Sequence, residues 1–156
     1  MSDRPSFVYV SYIATTADRL WTALTDGKFT REYWGGRAIE SEWKAGSTFV
    51  LRKLDGTADG ASGKVLEVDR PTRLVLTWSL AQQKQTPSPA SRVTFTIAAA
   101  GPENVRLEVV HEEYEAGSQV PDQVREGWSA ILSSLKSYLE TGRALEATRR
   151  WAASGR

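Results

Sequence analysis

A chain of 156 residues, 40% hydrophobic and 25% charged, is long enough to bury one core and reads as a single globular domain. Its formal net charge of +1 leaves no basic footprint for nucleic acid, and the absence of cysteine excludes disulfides, thiolate catalysis and cysteine-ligated metals. No run of about 18 apolar residues is present to insert into a membrane. The start, Met1-Ser2-Asp3-Arg4-Pro5, lacks the apolar core of a signal peptide, so a cytoplasmic location is the expectation.

Residues 6–14 are β-branched and aromatic and apolar on both faces, which predicts a strand covered on both sides. Thr15 and Thr16 offer a helix cap, with Asp18 three residues after Thr15 as in a capping box. Leu20, Trp21, Ala23 and Leu24 then recur at helical spacing, and Asp26-Gly27 breaks the helix. A second short helix covers about 28–33 and ends at Trp34-Gly35-Gly36. The period then changes to two. Strands are predicted at 37–43, 48–54, 63–69, 73–79, 93–97 and 105–111. Phe49 and Leu51 share one face of the second, Leu74, Leu76 and Trp78 one face of the fourth, and Val105, Leu107, Val109 and His111 one face of the last. Residues 81–90, polar with two prolines, form a loop.

A long helix follows, from Pro121, suited to a first turn, to Thr141 before the stop at Gly142. Val124, Trp128, Ile131, Leu132, Leu135, Tyr138 and Leu139 make one apolar stripe, which must be buried against the sheet. The domain therefore closes at residue 142. Residues 143–156 form a tail with four arginines against the single acid Glu146; with Trp151 it is either a short helix or a frayed end, and because Leu145, Arg149 and Ala152 do not form a stripe the frayed end is expected.

In order along the chain, four segments resemble a known family: residues 14–26, Tyr33-Trp34-Gly35, the hairpin of residues 63–68 and 71–78, and Gly127-Trp128 with Leu132, Leu135 and Tyr138-Leu139. Together they resemble the START-like, helix-grip superfamily, in the branch similar to the C-terminal domain of the activator of Hsp90 ATPase. The resemblance spans roughly residues 6–142. It implies an α+β, β-α-α-β(6)-α fold in which a curved antiparallel sheet grips the C-terminal helix around a cavity. It does not imply one function, because members bind lipids, act on polyketide-like rings or stimulate a chaperone.

Six tryptophans stand out: Trp21, Trp34, Trp43, Trp78, Trp128 and Trp151. Each either fills the core or walls a pocket. Trp34, Phe49, Leu51, Trp78, Phe95, His111, Trp128 and Ile131 are the candidate ligand-binding residues, since all lie on inward faces or at the helix junction. His111, the single histidine, is either a core histidine satisfied by a carboxylate or a tryptophan N–H, or a group that hydrogen-bonds a ligand or acts as a general base. Glu112, Glu113 and Glu115 beside it read as a solvated strand end, and Gly35-Gly36 as a helix stop rather than an anion nest. One histidine with acids on alternating faces does not make a metal site. No phosphate loop, nucleophile elbow or zinc-protease motif is present, so no cofactor and no catalytic group are assigned.

The leading expectation is non-catalytic binding of an apolar or aromatic small molecule, lipid-like or polyketide-like, between sheet and helix. The alternatives are a cyclase or dehydratase using His111 as base, and a chaperone-associated protein-binding module. Pairing into a homodimer through sheet edges or helices is a further expectation.

Overall fold

The computed structural model describes residues 6–53, 61–79, 91–112 and 122–153, the side chains of 122–124 and 152–153 excepted. Strand β1 (Ser6–Ile13) leads into helices α1 (Ala17–Thr25) and α2 (Gly27–Tyr33). Strands β2 (Ala38–Ser41), β3 (Thr48–Arg52), β4 (Ser62–Asp69), β5 (Arg73–Trp78), β6 (Ser91–Gly101) and β7 (Asn104–Glu112) follow, then α3 (Asp122–Thr141) and α4 (Glu146–Ala153). The fold is the expected α+β helix grip: a curved antiparallel sheet and a long helix, with six strands after the two short helices.

The sheet runs β1-β7-β6-β5-β4-β3-β2. Strands β2 to β7 meander, and β1 joins the far side by pairing with β7, so β1 and β2, consecutive in sequence, lie at opposite edges. Helix α3, 20 residues and about 30 Å long, crosses the inner face. It buries Trp128, Leu132, Leu135 and Leu139, with Ile131 and Tyr138 half-buried at the margin of the stripe. Pro121 and the side chain of Val124 lie outside the description.

Four local expectations change. The cap of α1 is Thr16, whose Oγ1 accepts from Arg19 N (3.1 Å), so Asp18 is in the first turn without closing a box from Thr15. The strand expected at 37–43 stops at Ser41. Ser41 Oγ accepts from Trp43 N (3.0 Å), and Trp43 takes a left-handed φ of 54° that turns its indole back to donate to Thr25 O (2.9 Å). In β4 a bulge between Val65 and Glu67 breaks the strict alternation, leaving Leu66 exposed beside Glu67.

The fourth change is the tail. Residues 146–153 are helical and packed rather than frayed. Thr148 is buried and shares a hydrogen bond with the buried Ser134 of α3 (2.8 Å), whose Oγ also accepts from Leu145 N (3.0 Å). Gly142, at φ 81°, ends α3 as predicted and lets the chain double back. The half-buried Trp151 rests on Gly35, where an added Cβ would come within 3.3 Å of its ring. Hydrophobic periodicity misses this helix because it docks through a threonine and one tryptophan instead of a stripe.

Candidate functional site

Seven of the eight candidate residues are buried together. Trp34, at the end of α2, stacks on Trp78 of β5 with ring centroids 6.0 Å apart and planes 22° from parallel. Trp128 of α3 meets both, at 5.7 Å from Trp34 and 5.1 Å from Trp78. Phe49 of β3 lies 5.5 Å from Trp78, and Phe95 of β6 lies 6.0 Å edge-on from Trp128. Leu51 is buried in the same core, next along the inward face of β3 from Phe49, and Ile131 packs against that core half-buried. Three strands, α2 and α3 thus deliver rings to one centre. The stacked and edge-on arrangements are those favoured by ring quadrupoles.

His111 is 2% exposed and sits 6.2 Å from the Trp128 ring. Trp128 Nε1–H donates to His111 Nδ1 (2.9 Å). Indole is donor only, so Nδ1 must accept and the neutral ring carries its proton on Nε2. That N–H donates to Ser91 Oγ (2.8 Å), and Ser91 Oγ–H donates to the carbonyl of Trp78 (2.9 Å). The chain of bonds runs from α3 through β7 and β6 to β5. Burial lowers the imidazole pKa to about 4, so the ring is neutral at pH 7. Of the two readings of His111, the satisfied core histidine tied to a tryptophan N–H is the one whose contacts are present.

Glu112, the next residue, points to the other face and pairs with Arg92 (2.8 Å); Glu113 and Glu115 lie outside the described residues. No cluster of three or more metal-binding side chains occurs among the described residues. No helix among them is long and apolar enough to cross a membrane. Gly35 and Gly36 both take positive φ, 61° and 80°, and are buried as a packed stop after α2.

The candidate set left out Ser91, Tyr33, Phe29 and Tyr138. Tyr33 is fully buried beside Trp34 (5.9 Å) and donates to Ala23 O (2.7 Å). Tyr138 of α3 bridges it to Phe29 (6.5 and 6.2 Å). The signal for Ser91 was its pairing opposite Trp78, which becomes visible only once the register is known.

A family model described as Activator of Hsp90 ATPase homolog 1-like protein matches residues 14–140. The chain belongs to this family. Helix α4 lies beyond the matched span. The curated proteins contain no match to the chain. Among solved structures, an Hsp90 activator from Plasmodium falciparum is similar at 21% identity and a TM-score of 0.71, over 87% of this chain and 96% of that one. The Aha1 dimer from Colwellia psychrerythraea aligns at 16% identity and a TM-score of 0.71, over 89% and 98%. DynU16, a protein of the dynemicin biosynthetic locus, aligns at 22% identity and a TM-score of 0.69, over 89% of this chain and 48% of that one. At these identities the likeness establishes the fold.

Proposed function

We propose that the chain binds an apolar, flat aromatic small molecule between the sheet and the first half of α3, and performs no chemistry on it. The near-parallel Trp34 and Trp78, closed on a third side by Trp128, carry this reading. Ring-on-ring contact is weakly directional, so a flat ligand inserted between Trp34 and Trp78 replaces one set of stacking contacts with another. The walls are uncharged: Phe49, Leu51, Phe95 and a neutral imidazole complete them. Ile131, half-buried on α3, lies at the margin. The likeness to a protein of a biosynthetic locus supports a polyketide-like ligand class.

The state of His111 supports binding without chemistry. Both its ring nitrogens are engaged, and a base with a pKa of about 4 is a weak one at neutral pH. The test is intrinsic tryptophan fluorescence titrated with anthraquinone, palmitate and cholesterol. Saturable quenching by anthraquinone, weakened in Trp78→Phe, is the expected result. No saturable change with any of the three would sink the proposal.

A second reading, a module that docks on a chaperone, is favoured by the family itself and by the similar Plasmodium falciparum activator. Stimulation of Hsp90 ATP turnover by the purified chain measures it, and an unchanged rate with no complex removes it. The likeness to a dimeric relative also supports reading this chain as a homodimer.

A further inference from the structure

The two edges of the sheet are treated differently. At one edge, β2 is four residues long, and α2 packs along it. Thr30 Oγ1 accepts from Ile39 N (2.9 Å), and the backbone of Gly27 lies so close to Ile39 O that an added Cβ would sit 2.8 Å from it. That edge is short and covered, as edges must be to avoid stray pairing.

At the other edge, β1 has eight residues and pairs with β7 in unbroken register. Lys136 Nζ donates to Tyr12 O (2.6 Å) and Glu140 Oε2 accepts from Ala14 N (2.9 Å), so the backbone groups of these residues point away from β7. In an antiparallel ladder that direction alternates with a period of two. Ser6, Val8 and Val10 therefore also aim their N–H and C=O groups outward, and among the described residues no strand receives them. Their side chains share the outer face of the sheet. Val8, Val10 and Tyr12 are 53%, 41% and 56% exposed, and they are three of the five large hydrophobics exposed among the described residues. From Ser6 to Ala17 the chain carries no charge, so β1 lacks the lysines that usually guard an edge.

We propose that a second copy of this chain pairs along Ser6–Val10, antiparallel about a twofold axis at Val8, joining two sheets into one. The inference rests on the homodimer reading and names its surface. An uncharged strand meets an identical one without like-charge repulsion, and a twofold sets Val8 against Val8 and Ser6 against Val10. Lys136 and Glu140 already occupy the edge at Tyr12 and Ala14, which stops the pairing at Val10 and selects an axis at Val8 over one further along.

The absence of cysteine supplies a direct test. In Val8→Cys, two copies place their Cβ atoms about 4.5–5.5 Å apart across the axis, within the span of a short bis-maleimide, which is expected to give a crosslinked dimer. Leu66→Cys, also exposed but on β4, is expected to stay uncrosslinked under the same conditions. Sedimentation equilibrium of the full chain is expected to give a dimer, weakened about tenfold or more in Val10→Lys, with circular dichroism confirming that the variant is folded. A wild type that is monomeric at every concentration overturns the homodimer reading. A wild-type dimer that survives Val10→Lys, or that crosslinks equally through Leu66→Cys, overturns β1 as its surface while leaving the dimer itself standing. Should Val10→Lys fail to fold, Val8→Pro replaces it. It removes an outward N–H and leaves the N–H groups that bond β7 in place, and a retained dimer in that variant overturns the proposal equally.

Discussion

The two halves of α3 share one apolar stripe but differ in what is added to it. The first half is held by rings: Trp128 meets Trp34, Trp78, Phe95 and His111, and its one polar atom bonds a neutral nitrogen. The second half continues the apolar stripe through Leu132, Leu135 and Leu139 and adds directed polar contacts to other elements. Ser134 bonds Thr148 and Leu145 N, Ser137 Oγ donates to Arg143 O (2.7 Å), and Lys136 and Glu140 reach across to β1. Hydrogen bonds specify position, because moving either partner by an ångström loses them. Ring contacts tolerate rearrangement. Under the proposed binding function, ligand admission falls to the first half and anchoring to the second.

Removing the ring anchor is expected to have the largest effect. Trp128→Ala deletes the side chain on which the aromatic cluster converges and strands His111 Nδ1 without its donor. A stability loss of about 3–5 kcal/mol is expected in urea denaturation. A loss below about 1 kcal/mol would mean that the first half of α3 is not held by rings.

Acid attacks the same half from the other side. Protonated His111 would turn Nδ1 into a second donor facing the indole N–H, and the pair could no longer bond. The folded-state pKa of about 4 lies below the ordinary 6.5, so the unfolded chain binds the proton first. The stability carried by neutral His111 is complete above pH 6.5 and falls as pH drops. The loss is about 1.4 kcal/mol per unit, some 3 kcal/mol by pH 4, and no more below. Denaturation midpoints from pH 7 to pH 4, with His111→Asn subtracting the behaviour of the carboxylates, measure it. Identical slopes for the two proteins would contradict the geometry.

In the second half, Ser134→Ala is expected to cost about 1–2 kcal/mol, since it leaves Leu145 N without its partner and removes one bond of Thr148. Faster amide exchange should be confined to α4. Faster exchange spreading through α3 would show that α4 and α3 do not separate as the contrast requires.

What the sequence made legible follows the forces that have a period. Phe49, Leu51, Phe95 and His111 were readable as inward because alternation in a strand is strict. Trp128, Leu132, Leu135 and Leu139 were readable because a helix repeats every three to four residues. Polar bonds between distant elements have no period. The partner of His111 comes from a helix 17 residues away, and Ser91 becomes its acceptor only after β5 and β6 are in register. The docking of helix α4, through Thr148 and Trp151, was passed over for a frayed end for the same reason. Bulges and turned-back residues were missed because a strand pattern carries no mark of where it is interrupted. Leu66 and Trp43 are the instances, each fixed by a partner outside its own strand: β5 for the bulge, Thr25 for the indole.

The smallest expected effect lies at the surface end of the anchor. The Glu140 carboxylate accepts from Lys136 Nζ (2.7 Å) and from Ala14 N (2.9 Å), and these bonds hold its pKa below the usual carboxylate value. The group is largely solvated, so the ion pair itself contributes little. Glu140→Gln keeps an acceptor for Ala14 N while removing the charge, and it should cost less than about 1 kcal/mol. Glu140→Ala removes the acceptor as well, and should expose Ala14 N without unfolding the strand. If β1 pairs with a second copy, this variant extends the open edge and should leave the dimer intact or tighten it. Sedimentation of Glu140→Ala beside wild type decides the matter, because a weakened dimer would mean that Glu140 belongs to the pairing surface and does not end it.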